Sequence, residues 1–330
     1  MPKFGQVAVR FLEEVVAAAA PRLFPGLEGE NWMYRPEYEV PKVNEIHQMI
    51  GQLESETKSR IEEMHAEIGK LRAENADWYT LMTGTGDSLV AAVIRILKVL
   101  GFAEVIDVDD EIESGDDRTA MRREDVRIED TSPILVVDVK GVQGHPEDSE
   151  CQQAEKHALM RARDLERTDV QALTIINSQR SMPPQQRDQV AFREAIVKNA
   201  EETKSGLMTT WDLYIILRNA RQNQWPSGMV KPIFYRVGRI ETHPEHYSHI
   251  GSVVKVWKKR GAFGVISSEA VSVGDRLAVF VGFDYIELDV DSIAVDGVNV
   301  ERAEIGSNCG VATDLADLVK EKCRVFRVAR

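Results

Sequence analysis

The chain has 330 residues, of which 43% are hydrophobic and 29% charged, and a net charge of −13. That is the composition of a soluble globular protein long enough for two domains and a helical extension. The acidic balance argues against broad, unassisted nucleic-acid binding, though not against a local basic surface or a metal-bridged contact with phosphates.

Residues 1–41 predict a short helix, Val7 to Ala20, and then a connector punctuated by Pro21, Pro25, Gly26, Gly29, Pro36 and Pro41. Over 42–77 the chain is rich in Glu, Lys, Arg and Gln. Val43, Ile46, Ile50, Leu53, Ile61, Met64, Ile68 and Leu71 recur there at spacings of three and four, with a polar break at Thr57 and Arg60. This heptad-like stripe predicts one helix of about nine turns. A dimerising coiled coil and a helix packed on its own protein both fit such a stripe, and the uniformly charged outer face favours a homodimer.

Residues 78–225 alternate helix and strand patterns. A helix is expected from Ser88 to Phe102, with Gly101 at its end. Strands follow at Ala103–Val108, Glu124–Ile128 and Ile134–Val142, then a helix Glu150–Leu165, a strand Val170–Asn177, and helices Arg187–Thr203 and Thr210–Asn219. The acidic run Asp107 to Asp117 reads as a solvated loop. This order describes an α/β sheet core. The segment Thr83–Ser88 contains glycines but lacks the Gly-Lys-Ser/Thr of a phosphate-binding loop. After a linker, Pro226–Pro232, short strands broken by Gly and Asp turns predict a small β-barrel over 232–330, beginning with the strand at Tyr235–Ile240.

One strand stands out. Ile134–Val142 is apolar except for Asp138 and Lys140, which lie two residues apart and so share a face. An acid and an amine on a buried strand are costly unless they serve a purpose. With Asp125 before them and a glutamine-bearing helix after them, the pattern resembles the PD-(D/E)xK restriction-endonuclease-like nucleases over about residues 78–220. The resemblance implies an α/β restriction-endonuclease-like core, preceded by a long coiled-coil helix. It implies that Asp125, Asp138 and the backbone carbonyl of Val139 hold a divalent cation, Mg²⁺ or Mn²⁺. Lys140 would sit beside the attacking water, and Gln153 or its neighbour Gln152 would contact the site from the following helix. Such chemistry needs carboxylates, because phosphodiester hydrolysis builds negative charge on an anionic phosphate that a hard cation can offset.

One position departs from the pattern. Many relatives carry a glutamate on the first helix where this chain has Val90, so the third acid is missing or comes from Asp87. Asn177, Arg180 and Arg187 could face the nucleic-acid backbone; turn and cap chemistry is the alternative for this stretch and for Thr209, Thr210 and Asp212.

The C-terminal strands, with the Gly274-Asp275 turn, Ser292-Ile293 and the Ala303–Gly306 phrase, resemble domain 2 of elongation factor Tu-type barrels. That implies an all-β translation-type barrel that binds RNA, a partner domain or a ligand. Lys258, Lys259 and Arg260, beside Trp257, form a basic tip that could touch phosphates, or an ordinary soluble turn.

Cys151, Cys309 and Cys323 are odd in number and far apart, so a reducing, cytoplasmic setting is expected. No apolar stretch has the length of a membrane span and no signal-peptide pattern is seen, so no membrane partner is expected. Together these readings predict a divalent-metal-dependent nuclease acting on DNA, with a role in bacterial host defence. The alternatives are an RNA nuclease directed at tRNA or the ribosome, and a non-catalytic nucleic-acid-binding module on a degenerate nuclease fold.

Overall fold

The computed structural model describes residues 5, 7–9, 11–16, 19–20, 33–114 and 124–329. The connector residues Pro21, Pro25, Gly26 and Gly29, and positions 115–117 of the acidic run, lie outside the described residues. The chain divides into two compact units, Met1–Glu74 and Asn75–Arg330.

In the first unit, the described part of the expected N-terminal helix contains a helical turn, Phe11–Val16. Helix α1 spans Pro41–Glu74. Pro41 begins it at the position where a missing N–H is tolerated. The helix buries none of its residues. Ile46, Ile50, Leu53, Ile61, Met64, Ile68 and Leu71 are 43–68% exposed.

The second unit starts with helices α2 (Ala76–Thr83) and α3 (Gly86–Val99). Then come β1 (Val105–Asp107), α4 (Val108–Ser114), β2 (Val126–Ile128) and β3 (Ile134–Gly141). Helix α5 (Asp148–Asp164) leads to β4 (Val170–Asn177), and α6 (Glu194–Thr203) leads to β5 (Gly206–Thr209) and α7 (Thr210–Gln222). A short strand β6 (Gly238–Arg239) completes a six-stranded sheet in chain order. β1, β2 and β3 pair antiparallel, whereas β3, β4, β5 and β6 run parallel.

The two faces of β3 have different fates. Leu135, Val137 and Val139 enter a core shared with Leu89, Val93 and Leu97 of α3 and with Leu213, Ile216 and Leu217 of α7. Val136, on the other face, packs with Ala154 and Ala158 of α5 and Ala172 of β4. Alanines four residues apart on α5 let the helix lie close to the sheet.

Four expectations shift for local reasons. The first strand ends at Asp107, because the Asp107 carboxylate accepts from the N–H groups of Asp109 and Asp110 at 3.2 and 3.3 Å and starts α4 inside the acidic run. Helix α6 begins at Glu194 rather than Arg187, because Asp188 closes a side-chain turn onto Val190 N–H at 2.9 Å and Arg193 is extended. Strand β5 is fully buried and only four residues long, too short to show a period. The Gly238–Arg239 strand pairs with β5 in the α/β sheet and not with the barrel strands.

The remaining chain forms β7 (Tyr247–Trp257), β8 (Ala262–Ile266), β9 (Val271–Ser272), β10 (Arg276–Val281), β11 (Asp284–Asp289), β12 (Ile293–Val295), β13 (Val298–Val300), β14 (Arg302–Ala303), β15 (Asn308–Ala312) and β16 (Arg324–Val328). Eight of them form a large antiparallel sheet in the order β11-β10-β16-β7-β8-β15-β12-β13, and β14 pairs with β9. Helix α7 seats this layer. Asn219 accepts from Tyr285 N–H at 2.7 Å and donates to Phe283 C=O at 2.9 Å, while Arg218 forks onto the Asp284 carboxylate. Tyr247, Tyr285 and Phe326 join the same apolar core as Leu213 and Trp225. Among the described residues, no helix is long and apolar enough to cross a membrane.

The end of β3 leaves no room for a side chain at Gly141. A Cβ there would lie 2.6 Å from the Gly84 carbonyl oxygen and 2.7 Å from the Thr85 Cβ. Thr85 Oγ1 donates to the Gly141 carbonyl at 3.1 Å, so this close approach is hydrogen-bonded in place. Gly141→Ala is therefore expected to lower stability by about 1–3 kcal/mol, measured as a shift in the urea midpoint at unchanged slope.

Candidate metal centre

The site is built where α5 crosses the polar end of β3. Asp138 and Lys140 point to the same face as Val136, toward α5. The helix answers with three polar side chains spaced by four residues. Gln153 Oε1 accepts from the Lys140 ammonium, His157 Nδ1 lies 3.0 Å from Asp138 Oδ1, and Arg161 Nε donates to Glu124 Oε1 at 2.7 Å. The register of α5 is fixed at its start by a capping box between Glu147 and Glu150. It is fixed again by Thr174 of β4, which stands beside Asp138 in the sheet and donates its hydroxyl to the Cys151 carbonyl at 3.1 Å.

Asp138 is 1% exposed. Its Oδ2 atom is buried and has no hydrogen-bond partner. A buried carboxylate oxygen without a donor is expensive in isolation, and a bound cation relieves that cost.

Asp125 comes to the same place from the other side. The β2–β3 ladder ends at the Val126 and Val137 pair, so Val139 has no β2 residue opposite. The Asp125 carboxylate takes over and accepts from Val139 N–H at 2.7 Å. In a strand, a residue's N–H and C=O point to the same side, so the Val139 carbonyl is directed along the same edge. Burial pushes the Asp125 carboxyl up to about 6, its bond from Val139 N–H opposes this, and repulsion from Asp138 adds to it; Lys140 counteracts and Asp109 reinforces. A carboxyl raised by burial next to a second carboxylate forms an arrangement a divalent cation stabilises.

Two carboxylates and a carbonyl suit a hard cation of the Mg²⁺ type, which keeps several waters. Among the described residues there is no cluster of three His, Cys, Asp or Glu placed to hold a metal. Val90 packs half-buried against the apolar core, and Asp87 is exposed at the start of α3. The additional acid felt by Asp125 is Asp109, whose neighbour Val108 donates its N–H to the Asp125 carbonyl at 3.2 Å. Sequence reasoning missed Asp109 because it assigned the acidic run to a loop.

The other candidate residues divide. Gln153 reaches Lys140, whereas Gln152 is exposed on a different side of α5. Asn177 and Arg187 are buried and bonded to each other at 2.9 Å. Asn177 also donates to the Gly84 carbonyl at 2.9 Å, and Arg187 donates to the carbonyls of Met182 and Met82 at 3.0 and 2.5 Å. Their polar groups tie the loop before α3 to the loop after β4. Arg180 is half-buried in that second loop, its N–H on the Val142 carbonyl and its Nε without a partner. Lys258, Lys259 and Arg260 are exposed on the turn between β7 and β8. Trp257 beside them lies over the backbone of Gly264 and Gly310. His157 was not among the candidate residues; its four-residue spacing from Gln153 was the signal that it shares the site's helix face.

No protein-family model matches the chain, and no curated protein matches it. Among solved structures it is similar to the C-terminal domain of a putative U32 peptidase of Geobacillus thermoleovorans, at 12% identity and a TM-score of 0.23, covering 24% of this chain and 91% of that one. It is also similar to the translation elongation factor SelB of Methanococcus maripaludis, at 13% identity and a TM-score of 0.21, covering 59% of this chain and 39% of that one. A third is GDP-bound aIF5B of Aeropyrum pernix, at 11% identity and a TM-score of 0.22, covering 58% of this chain and 38% of that one. The chain thus spans well under half the length of these two translation factors. None of the three is described as a nuclease.

Arg187 offers a test of its architectural role. Arg187→Ala leaves the Met82, Met182 and Asn177 acceptors without their donor and is expected to cost about 2–4 kcal/mol of stability. Chemical denaturation measures it; an unchanged midpoint would mean that these bonds do not hold the two loops.

Proposed function

We propose that the chain is a divalent-metal-dependent nuclease that hydrolyses phosphodiester bonds, with DNA as its substrate. What supports this reading is that Asp125 bonds the N–H of Val139, between Asp138 and Lys140, and feels both of their charges, with Asp138 Oδ2 buried and unpartnered. The order of helix, three antiparallel strands, helix and parallel strand supports a restriction-endonuclease-like core. A role in bacterial host defence is the accompanying proposal, on the ground that a DNA nuclease must be kept from its own genome.

On this reading each residue has a distinct task. Asp125, Asp138 and the Val139 carbonyl would hold the cation, which supplies charge neutralisation at phosphate and polarises water. Lys140 is held by Gln153 through one N–H, and its two other ammonium hydrogens remain to meet a phosphate oxygen or the attacking water. Arg180, half-buried beside the end of β3, would meet a phosphate through its terminal nitrogens, since its Nε is buried. The first test is incubation with Mg²⁺ or Mn²⁺ on duplex DNA, single-stranded DNA and tRNA. Cleavage of DNA is expected, with a loss of about 10²-fold or more in Asp138→Ala and Lys140→Ala. The reading fails if every substrate stays intact, or if Asp138→Ala cleaves as the parent does.

The same proposal includes a homodimer through α1. Its apolar stripe has heptad-like spacing and a charged outer face, which together suit a second copy of the same helix. Sedimentation at micromolar concentration is expected to show a dimer, and Leu53→Glu combined with Ile61→Glu a monomer. A parent that sediments as a monomer would exclude this arrangement.

A further inference from the structure

Asp138 has two carboxylate oxygens in different circumstances. Oδ1 lies 3.0 Å from His157 Nδ1, and Oδ2 is buried with no partner. His157 is itself 8% exposed, on the α5 face between Gln153 and Arg161. An ionised carboxylate only accepts, so Nδ1 must carry the hydrogen. The ring therefore occupies one oxygen and sets the rotation of the carboxylate plane. Helix α5 is locked on the sheet by Ala154 and Ala158 against Val136, so the imidazole has little freedom to follow a moving carboxylate.

We propose that His157 is a positioning residue that makes Asp138 a one-oxygen ligand, holding Oδ1 and leaving Oδ2 turned toward the cation shared with Asp125. This rests on the metal-dependent reading of the site. The histidine acts through Asp138 and touches neither substrate nor cation. In the same way Gln153 orients the Lys140 amine, so a single helix face sets both charged groups of the strand. Histidine presents its Nδ1 donor next to Cγ, within reach of the Asp138 carboxylate.

The test uses the full chain and Mn²⁺ as the probe, read by titration calorimetry and by the electron paramagnetic resonance signal of the bound ion. His157→Leu removes the donor at similar volume and is expected to weaken Mn²⁺ binding about 10–100-fold. His157→Asn keeps an N–H one bond from Cγ, where Nδ1 stood, and is expected to bind within about threefold of the parent and to restore its Mn²⁺ spectrum. Should His157→Leu not fold, His157→Met, which is flexible, apolar and without a donor, takes its place. Parent-like Mn²⁺ affinity in the donor-free variant, alongside loss in Asp138→Ala, would overturn the role of His157 and leave the metal site standing. A His157→Asn variant as weak as the donor-free one would overturn the donation argument. A parent chain that takes up no Mn²⁺ would overturn both this proposal and the reading on which it rests.

Discussion

The second unit depends on how one helix is laid across one strand. Asp138 is buried on a strand whose other inward residues are aliphatic, and a lone carboxylate there would be costly. It is tolerated because α5 brings His157 to one oxygen, while the same helix face brings Gln153 to Lys140 and Arg161 to buried Glu124. The first two pairings fix the register of α5 on β3, and the third ties the same helix to the segment that leads into β2. Ala154 and Ala158 set how closely the helix lies on the sheet, and a one-residue slip would part all three polar pairs. The residues that create the candidate chemistry are thus also those that specify the helix–sheet crossing.

The glycine after Lys140 extends the same constraint. Because Gly141 has no side chain, the loop Gly84–Thr85 can rest on the end of β3, and Asn177 at the end of β4 and Arg187 in the loop after it clamp that segment. The end of the strand is therefore covered by backbone, held by buried polar side chains whose hydrogen-bonding groups are used internally. Arg180, in the same loop as Arg187, is half-buried, and its Nε is buried without a partner. Placement after folding, rather than residue type, separates a strut from a group able to meet a phosphate.

Much of this was legible in the sequence, because strong periodicity survives tertiary packing. The β4 strand Val170–Asn177 follows the predicted bounds, and β3 and α5 differ from them by one or two residues. The asymmetry of Ile134–Val142, four apolar residues and then two charges, marked the strand that carries the site. What escaped detection was decided by contacts distant in sequence. Helix α4 begins through a two-residue aspartate cap inside a run that looks solvated, and so Asp109 beside Asp125 was hidden. Asn177 looked like an exposed strand end, but its amide is consumed by a carbonyl 93 residues earlier in the chain. Gly238–Arg239 has barrel-like composition, but β5 offered it an open edge in the first sheet.

The charge balance gives the last link between fold and proposed activity. The chain carries an excess of 13 negative charges, and the site contributes two carboxylates against one ammonium. With both acids ionised, the site repels a phosphodiester. With Asp125 protonated, as burial and its acidic neighbours favour up to about pH 6, it becomes neutral but loses half of its cation-binding charge. A divalent cation between Asp125 and Asp138 removes both difficulties at once, because it compensates the acids and reverses the sign of the field that an approaching phosphate meets. On the nuclease reading, cation binding and substrate binding are therefore ordered by electrostatics. On that reading an acidic protein would act on a polyanion through a centre completed by metal, and the dependence would come from the unpartnered oxygen of Asp138.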